Sequence, residues 1–149
     1  MSELRDLYQE VIIDHARRPR NFGPLEGASH HGEGFNPLCG DKLKLWIDVK
    51  DGVVADARFE GSGCAISTAS ASLLTETVKH KTLAEAHALF EVFHALVTGR
   101  EPADDAPELG KLQVFAGVCE FPARVKCASL AWHTLETTLE RPGAVVSTE

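Results

Sequence analysis

The sequence predicts an α+β fold, a small antiparallel sheet of about three strands with helices packed on one of its faces. Three observations carry this. Residues 42–50 alternate strictly, with Leu43, Leu45, Ile47 and Val49 facing one way and Lys42, Lys44, Asp48 and Lys50 the other. Asp51-Gly52 follows, a hairpin signal, because the two central residues of a tight primed turn need positive φ. After Gly61-Ser62-Gly63-Cys64 the apolar period changes from that of a strand to that of a helix.

The elements follow in order. Residues 4–17 place Leu4, Leu7, Tyr8, Val11 and Ile12 at helical intervals, and Pro19 stops the helix. The Gly- and Pro-rich stretch 19–38 predicts a loop with at most a short strand near Ala28–Glu33. The return strand of the hairpin runs from Val53 to about Glu60, with Ala55, Ala57 and Phe59 alternating against Asp56, Arg58 and Glu60. Residues 65–79 predict a closely packed helix with Ile66, Ala69 and Leu73 on one face. A second helix over 83–98 has a core stripe of Ala86, Leu89, Phe90, Phe93 and Leu96, ended by Gly99. An acidic connection around 101–105 leads to a short helical segment near 108–116. A last helix, from about Arg124 to Leu139, buries Ala128, Ala131, Trp132 and Leu135 before Pro142-Gly143.

With 149 residues and no repeat or dividing linker, the chain is expected to form one domain over 1–149. Fifteen Lys and Arg against 22 Asp and Glu leave a net charge of −7, which repels phosphate backbones and argues against nucleic acid as a partner. No apolar run approaches the ~20 residues that span a bilayer. The polar start Met1-Ser2-Glu3-Leu4-Arg5-Asp6 lacks a hydrophobic signal core, so a cytoplasmic location and no membrane are expected.

Four cysteines stand at positions 39, 64, 119 and 127, with no C-x-x-C pair among them. Three lie at element junctions: Cys39 before the hairpin, Cys64 in a glycine-flanked turn at a helix start, Cys127 in the first turn of the last helix. A helix N-terminus stabilises a thiolate, and glycines 40, 61 and 63 would let backbone approach closely. Small buried hydrophobes, the usual state of free cysteine, explain the same positions equally well. Cys119 has neither glycine nor helix start beside it and reads as an incidental thiol. His87, Glu91 and His94 are spaced for a metal on one helix side, but a solvated polar face accounts for them too. His15 and His133 read as partly buried polar tips.

Asn36-Pro37-Leu38-Cys39-Gly40-Asp41, Gly61-Ser62-Gly63-Cys64-Ala65-Ile66-Ser67 and Phe121-Pro122-Ala123-Arg124-Val125-Lys126-Cys127 resemble the three cysteine motifs of the IscU/SufU family, the U-type proteins of iron–sulfur cluster assembly. Leu7-Tyr8, Asp14-His15 and Pro19-Arg20-Asn21 resemble that family's opening, so the likeness runs over about the whole chain. It implies an IscU-like fold. Within the family the chain resembles the SufU branch: Lys126 stands where scaffold proteins have a histidine, and the stretch between the second and third motifs is longer, the extra length falling around 99–113.

The resemblance implies a Zn²⁺ site made by Cys39, Asp41, Cys64 and Cys127. Three thiolates and a carboxylate form a tetrahedral shell suited to zinc's borderline softness, and their surplus negative charge favours nearby cations, for which Arg124 and Lys126 are placed. The implied task is sulfur transfer from a PLP-dependent cysteine desulfurase of the SufS type toward a downstream Suf scaffold. Cys39 would be the acceptor, released when a desulfurase side chain takes its place on zinc, and Arg124 a contact at the docking surface. Two other readings stand beside this one: a scaffold that builds a transient iron–sulfur cluster on Cys39, Cys64 and Cys127, and a structural zinc domain that moves no sulfur.

Overall fold

Asp51 and Gly52 both adopt positive φ (54° and 74°), and the turn they make sets the register of the central hairpin. In the computed structural model, which describes residues 2–102, 104–141, 143 and 145–147, strand β2 (Asp41–Lys50) pairs antiparallel with β3 (Val53–Ser62). β1 (His30–Asn36) pairs antiparallel on the other side of β2. β4 (Val145–Ser147) adds to β1 in parallel, giving the order β3-β2-β1-β4. The expected antiparallel set of strands is therefore present, and a fourth strand makes the sheet mixed. Three residues are too few to display a period, which is why β4 escapes a sequence reading.

β1 also runs further than expected, to Asn36 rather than Glu33. Its buried positions are Gly32, Gly34 and Asn36, so its inward face carries no apolar side chain and shows no hydrophobic alternation. Gly34 has a packing reason: a Cβ there would collide with Thr134 and press on Leu130. A register shift between Asp48 and Val49 moves the phase of β3, so Val54, Ala57 and Phe59 are buried while Ala55 is only half-buried.

α2 (Ala65–Val78) and α4 (Pro122–Glu140) pack on the sheet face formed by Leu43, Leu45, Ile47, Ala57 and Phe59. α1 (Ser2–Arg17) covers α2 and is tied to it by polar contacts. His15 Nδ1 meets Ser72 Oγ at 2.7 Å, and the Arg20 N–H donates to the same oxygen at 2.9 Å. His15 is thus fully buried rather than a partly exposed tip. α2 lies between α1, α4 and β3 and is buried at every position from Ala69 to Thr75, a close approach that its Ala- and Ser-rich sequence permits.

α3 (Leu83–Val97) begins with a capping box, Thr82 and Glu85 each bonding the other's backbone N–H. It ends in a Schellman pattern at Gly99 (φ 74°), whose N–H donates to the Leu96 carbonyl while that of Arg100 donates to Ala95. Of its expected stripe, Ala86, Leu89 and Phe93 are buried and Phe90 and Leu96 partly so. The segment anticipated near 108–116 is a 3-10 helix, Gly110–Glu120. Trp132 of α4 stacks on Phe93 at 4.8 Å, and Phe93 meets Phe115 edge-on at 5.7 Å, joining α3, α4 and the 3-10 helix in one core. α4 starts two residues earlier than expected because Pro122 occupies its first turn, where a missing N–H costs nothing. Pro142, expected to stop it, lies outside the described residues; the helix ends at Glu140, with Arg141 as its cap. No described helix is long and apolar enough to cross a membrane.

Candidate metal centre

The β1–β2 turn, residues 37–40, carries Cys39 at the surface. Gly40 closes the turn with φ 74°, a conformation that favours glycine, and its N–H donates to the Asn36 carbonyl at 2.9 Å. Asp41, the first residue of β2, is only 1% exposed. A carboxylate so buried needs donors. The Cys64 N–H supplies one to Oδ1 at 2.9 Å, and Asn36 Nδ2 supplies another to Oδ2 at 3.3 Å. Gly63 allows the first of these, because a Cβ there would collide with the Asp41 carboxylate; a Cβ at Gly61 would likewise strike the Lys42 carbonyl.

Cys64 is the N-cap of α2, and its Sγ accepts a hydrogen bond from the Ser67 N–H at 3.4 Å. Cys127 is fully buried, its Sγ donating to Cys39 Sγ at 3.3 Å. Because α4 begins at Pro122, Cys127 sits in the helix's second turn rather than its first. This changes its chemistry. Burial pushes the Cys127 thiol well up from its ordinary range, and hydrogen bonding with Cys39, Cys64 and Asp41 adds to the effect. The thiolate-stabilising helix terminus expected for it is outweighed by burial. Arg124, exposed one turn earlier on α4, holds its guanidinium charge more firmly through a hydrogen bond with Cys127 and attraction to Cys64, Cys127 and Cys39.

Donor atoms of Cys39, Asp41 and Cys127 all lie within 4.8 Å of one another. Zinc–sulfur bonds of about 2.3 Å in a tetrahedron separate two sulfurs by about 3.8 Å, so the Cys39–Cys127 pair is spaced to within about half an ångström of that need. The donor set, two thiols and a carboxylate, suits zinc. Cys64 borders this cluster, as its bond to Asp41 and its effect on Cys127 indicate, but its Sγ is outside the close group of three.

The other candidates do not converge. His87 directs Nδ1 to Glu136 (3.0 Å) and Nε2 to Glu91 (3.3 Å), while His94 Nδ1 meets Arg100 at 2.6 Å. Phe90 stacks against both rings. Among the described residues no second group of three metal donors lies close together. Cys119 is exposed, its Sγ contacting the Ala116 carbonyl. Asn36, by contrast, touches two members of the cluster and drew no notice as a site residue in the sequence. Its signal was its place at the head of the first cysteine motif, where no separate role was read for it.

A four-stranded sheet with helices on one face and a cysteine–aspartate cluster at its end defines the class. Residues 7–128 match the NifU-like N terminal domain, and the chain belongs to that family. Its relatives carry both names found in the motif resemblance. The zinc-dependent sulfurtransferase SufU of Bacillus subtilis (strain 168) is 42% identical over 135 residues, 91% of this chain and 90% of that protein. The iron–sulfur cluster assembly scaffold protein IscU of Streptococcus pyogenes serotype M1 is 41% identical over 142 residues, 95% of this chain and 87% of that one. A crystal structure from Fervidobacterium islandicum AW-1, assigned to the SUF system as a candidate scaffold, superimposes with a TM-score of 0.83 at 35% identity, covering 91% of this chain and 98% of its own.

Proposed function

We propose that this chain, as a single domain over 1–149, is a zinc-dependent sulfurtransferase that accepts persulfide sulfur from a PLP-dependent cysteine desulfurase of the SufS type and stimulates it. The observation that carries the reading is the contrast within one cluster: an exposed Cys39 on a turn, in contact with a buried Cys127 and close to a buried Asp41. A surface thiol backed by fixed donors can be both a ligand and an acceptor. Cys39, Asp41, Cys64 and Cys127 would hold the metal, which when bound keeps its thiol ligands deprotonated.

The transfer itself is thiol–persulfide exchange. The Cys39 thiolate attacks the outer sulfur of the desulfurase persulfide. A new S–S bond forms on Cys39, the old one breaks, and the desulfurase cysteine leaves as a thiolate, with no net oxidation. Arg124, exposed beside all three site cysteines, would meet the partner and balance the negative charge. The sulfur would pass on to a downstream Suf scaffold in the cytoplasm.

The Cys39→Ala variant is expected to lose desulfurase stimulation and to show no sulfur adduct by mass spectrometry; full activity in that variant would refute the assignment. The similarity to scaffold proteins supports a second reading, a transient iron–sulfur cluster on Cys39, Cys64 and Cys127. Against it, Lys126 stands beside Cys127 and, when protonated, cannot ligate iron. Anaerobic reconstitution with iron and sulfide separates the two: a stable chromophore that passes to an apo-acceptor favours the scaffold.

A further inference from the structure

Asn36 is completely buried at the end of β1, a costly place for an amide unless every polar atom is used. Its Oδ1 accepts from the Leu38 N–H at 3.3 Å. A backbone N–H can only donate, so this contact fixes the amide's orientation and turns Nδ2 toward the cluster. There Nδ2 donates to Asp41 Oδ2 at 3.3 Å and to Cys127 Sγ at 3.6 Å. The backbone carbonyl of the same residue receives the Gly40 N–H that closes the Cys39 turn. One side chain and its own peptide thus bind the turn that carries Cys39 and two of the other donor residues.

We propose that Asn36 is a positioning residue for the metal centre, holding Asp41 and Cys127 in fixed mutual register through Nδ2 so that the site keeps its shape when Cys39 is withdrawn for sulfur transfer. This rests on the zinc reading above. The physical basis is that N–H donors to a thiolate and a carboxylate stabilise their charge and fix their direction toward a metal, whereas neither donor oxygen nor sulfur can supply such a bond to the other once both are ionised. Among the described residues no buried amide donates to Cys39, which sits on an exposed turn, so the division into fixed and releasable donors follows from where Asn36 reaches.

Two variants separate this role from simple support of the turn. N36D retains an oxygen for the Leu38 N–H but loses both donations and adds negative charge beside Asp41. N36A loses all the side-chain bonds without adding charge. Zinc affinity is measured by competition with a chromophoric chelator, alongside the visible spectrum of the cobalt-substituted protein, on samples whose folding is verified by circular dichroism. Positioning predicts an affinity loss of about 10–100-fold in N36A, at least as large a loss in N36D, and altered cobalt bands in both. A turn-supporting role alone predicts N36D near wild type and the wild-type cobalt spectrum, and that result overturns the proposal. If N36A does not fold, N36D decides the matter by the same comparison. Wild-type affinity unaffected by Asp41→Ala and Cys127→Ala would instead overturn the zinc reading, and this inference with it.

Discussion

Asp41 illustrates how single residues here depend on what their neighbours leave out. Its buried carboxylate accepts from the Cys64 N–H only because Gly63 has no Cβ to occupy that space. The Gly63→Ala variant should therefore displace the carboxylate and lower unfolding free energy by about 1–3 kcal/mol, the range for overpacking. Urea denaturation tests this, and an unchanged midpoint would contradict the close approach. The glycines around the cysteines were legible in the sequence as places of close backbone approach. Asn36 was visible as the first residue of a cysteine motif, but its role was not, because only the folded strand turns its amide inward toward Asp41 and Cys127.

At the scale of elements, periodicity was a good guide where side chains were large and apolar, as in β2 and α3. It failed in β1, whose inward face is Gly32, Gly34 and Asn36, and in the phase of β3, where an irregular register after Asp48 shifted which residues face the core. The junction between α3 and α4 yields a pH prediction. Hydrogen bonding and attraction from Glu136, with help from Glu91, raise the His87 imidazole above its ordinary value, countered in part by its slight burial. A raised value in the folded state means that His87 contributes stability below its unfolded value near 6.5, and that this contribution fades as pH rises through the folded value. The Glu136 carboxylate is largely buried but His87 itself is mostly exposed, so solvent screening should hold the effect to about 1 kcal/mol or less. Thermal melts of wild type and His87→Ala should differ more at pH 5.5 than at pH 8.5; a larger difference at the higher pH would reverse the assignment.

For the whole molecule, the proposed metal centre would join segments that are far apart in the chain: the β1–β2 turn and the second turn of α4, with the start of α2 alongside. Closing those loops with one ion should matter to stability. Structural zinc sites contribute ~10–16 kcal/mol in small peptides, against ~5–15 kcal/mol for the net stability of whole domains. Verified removal of zinc by chelation is expected to lower the melting temperature by about 10 °C or more. An unchanged melting curve would show that the fold does not depend on the ion.

The element types, the hairpin turn and the helix core stripes are properties of short windows, since side-chain spacing and turn chemistry act over a few residues. The three cysteine motifs were equally visible, and with them the family. Which side chains meet was a different matter. Eighty-eight residues separate Cys39 from Cys127 along the chain, and no local period encodes a contact across such a distance. Packing of α4 against Gly34 in β1, the N-capping position of Cys64 and the close seat of Asp41 against Gly63 brought them together. Burial then set the chemistry, pushing the Cys127 thiol up while leaving Cys39 in reach of solvent, because solvation depends on the folded surroundings of a group and not on its sequence neighbours.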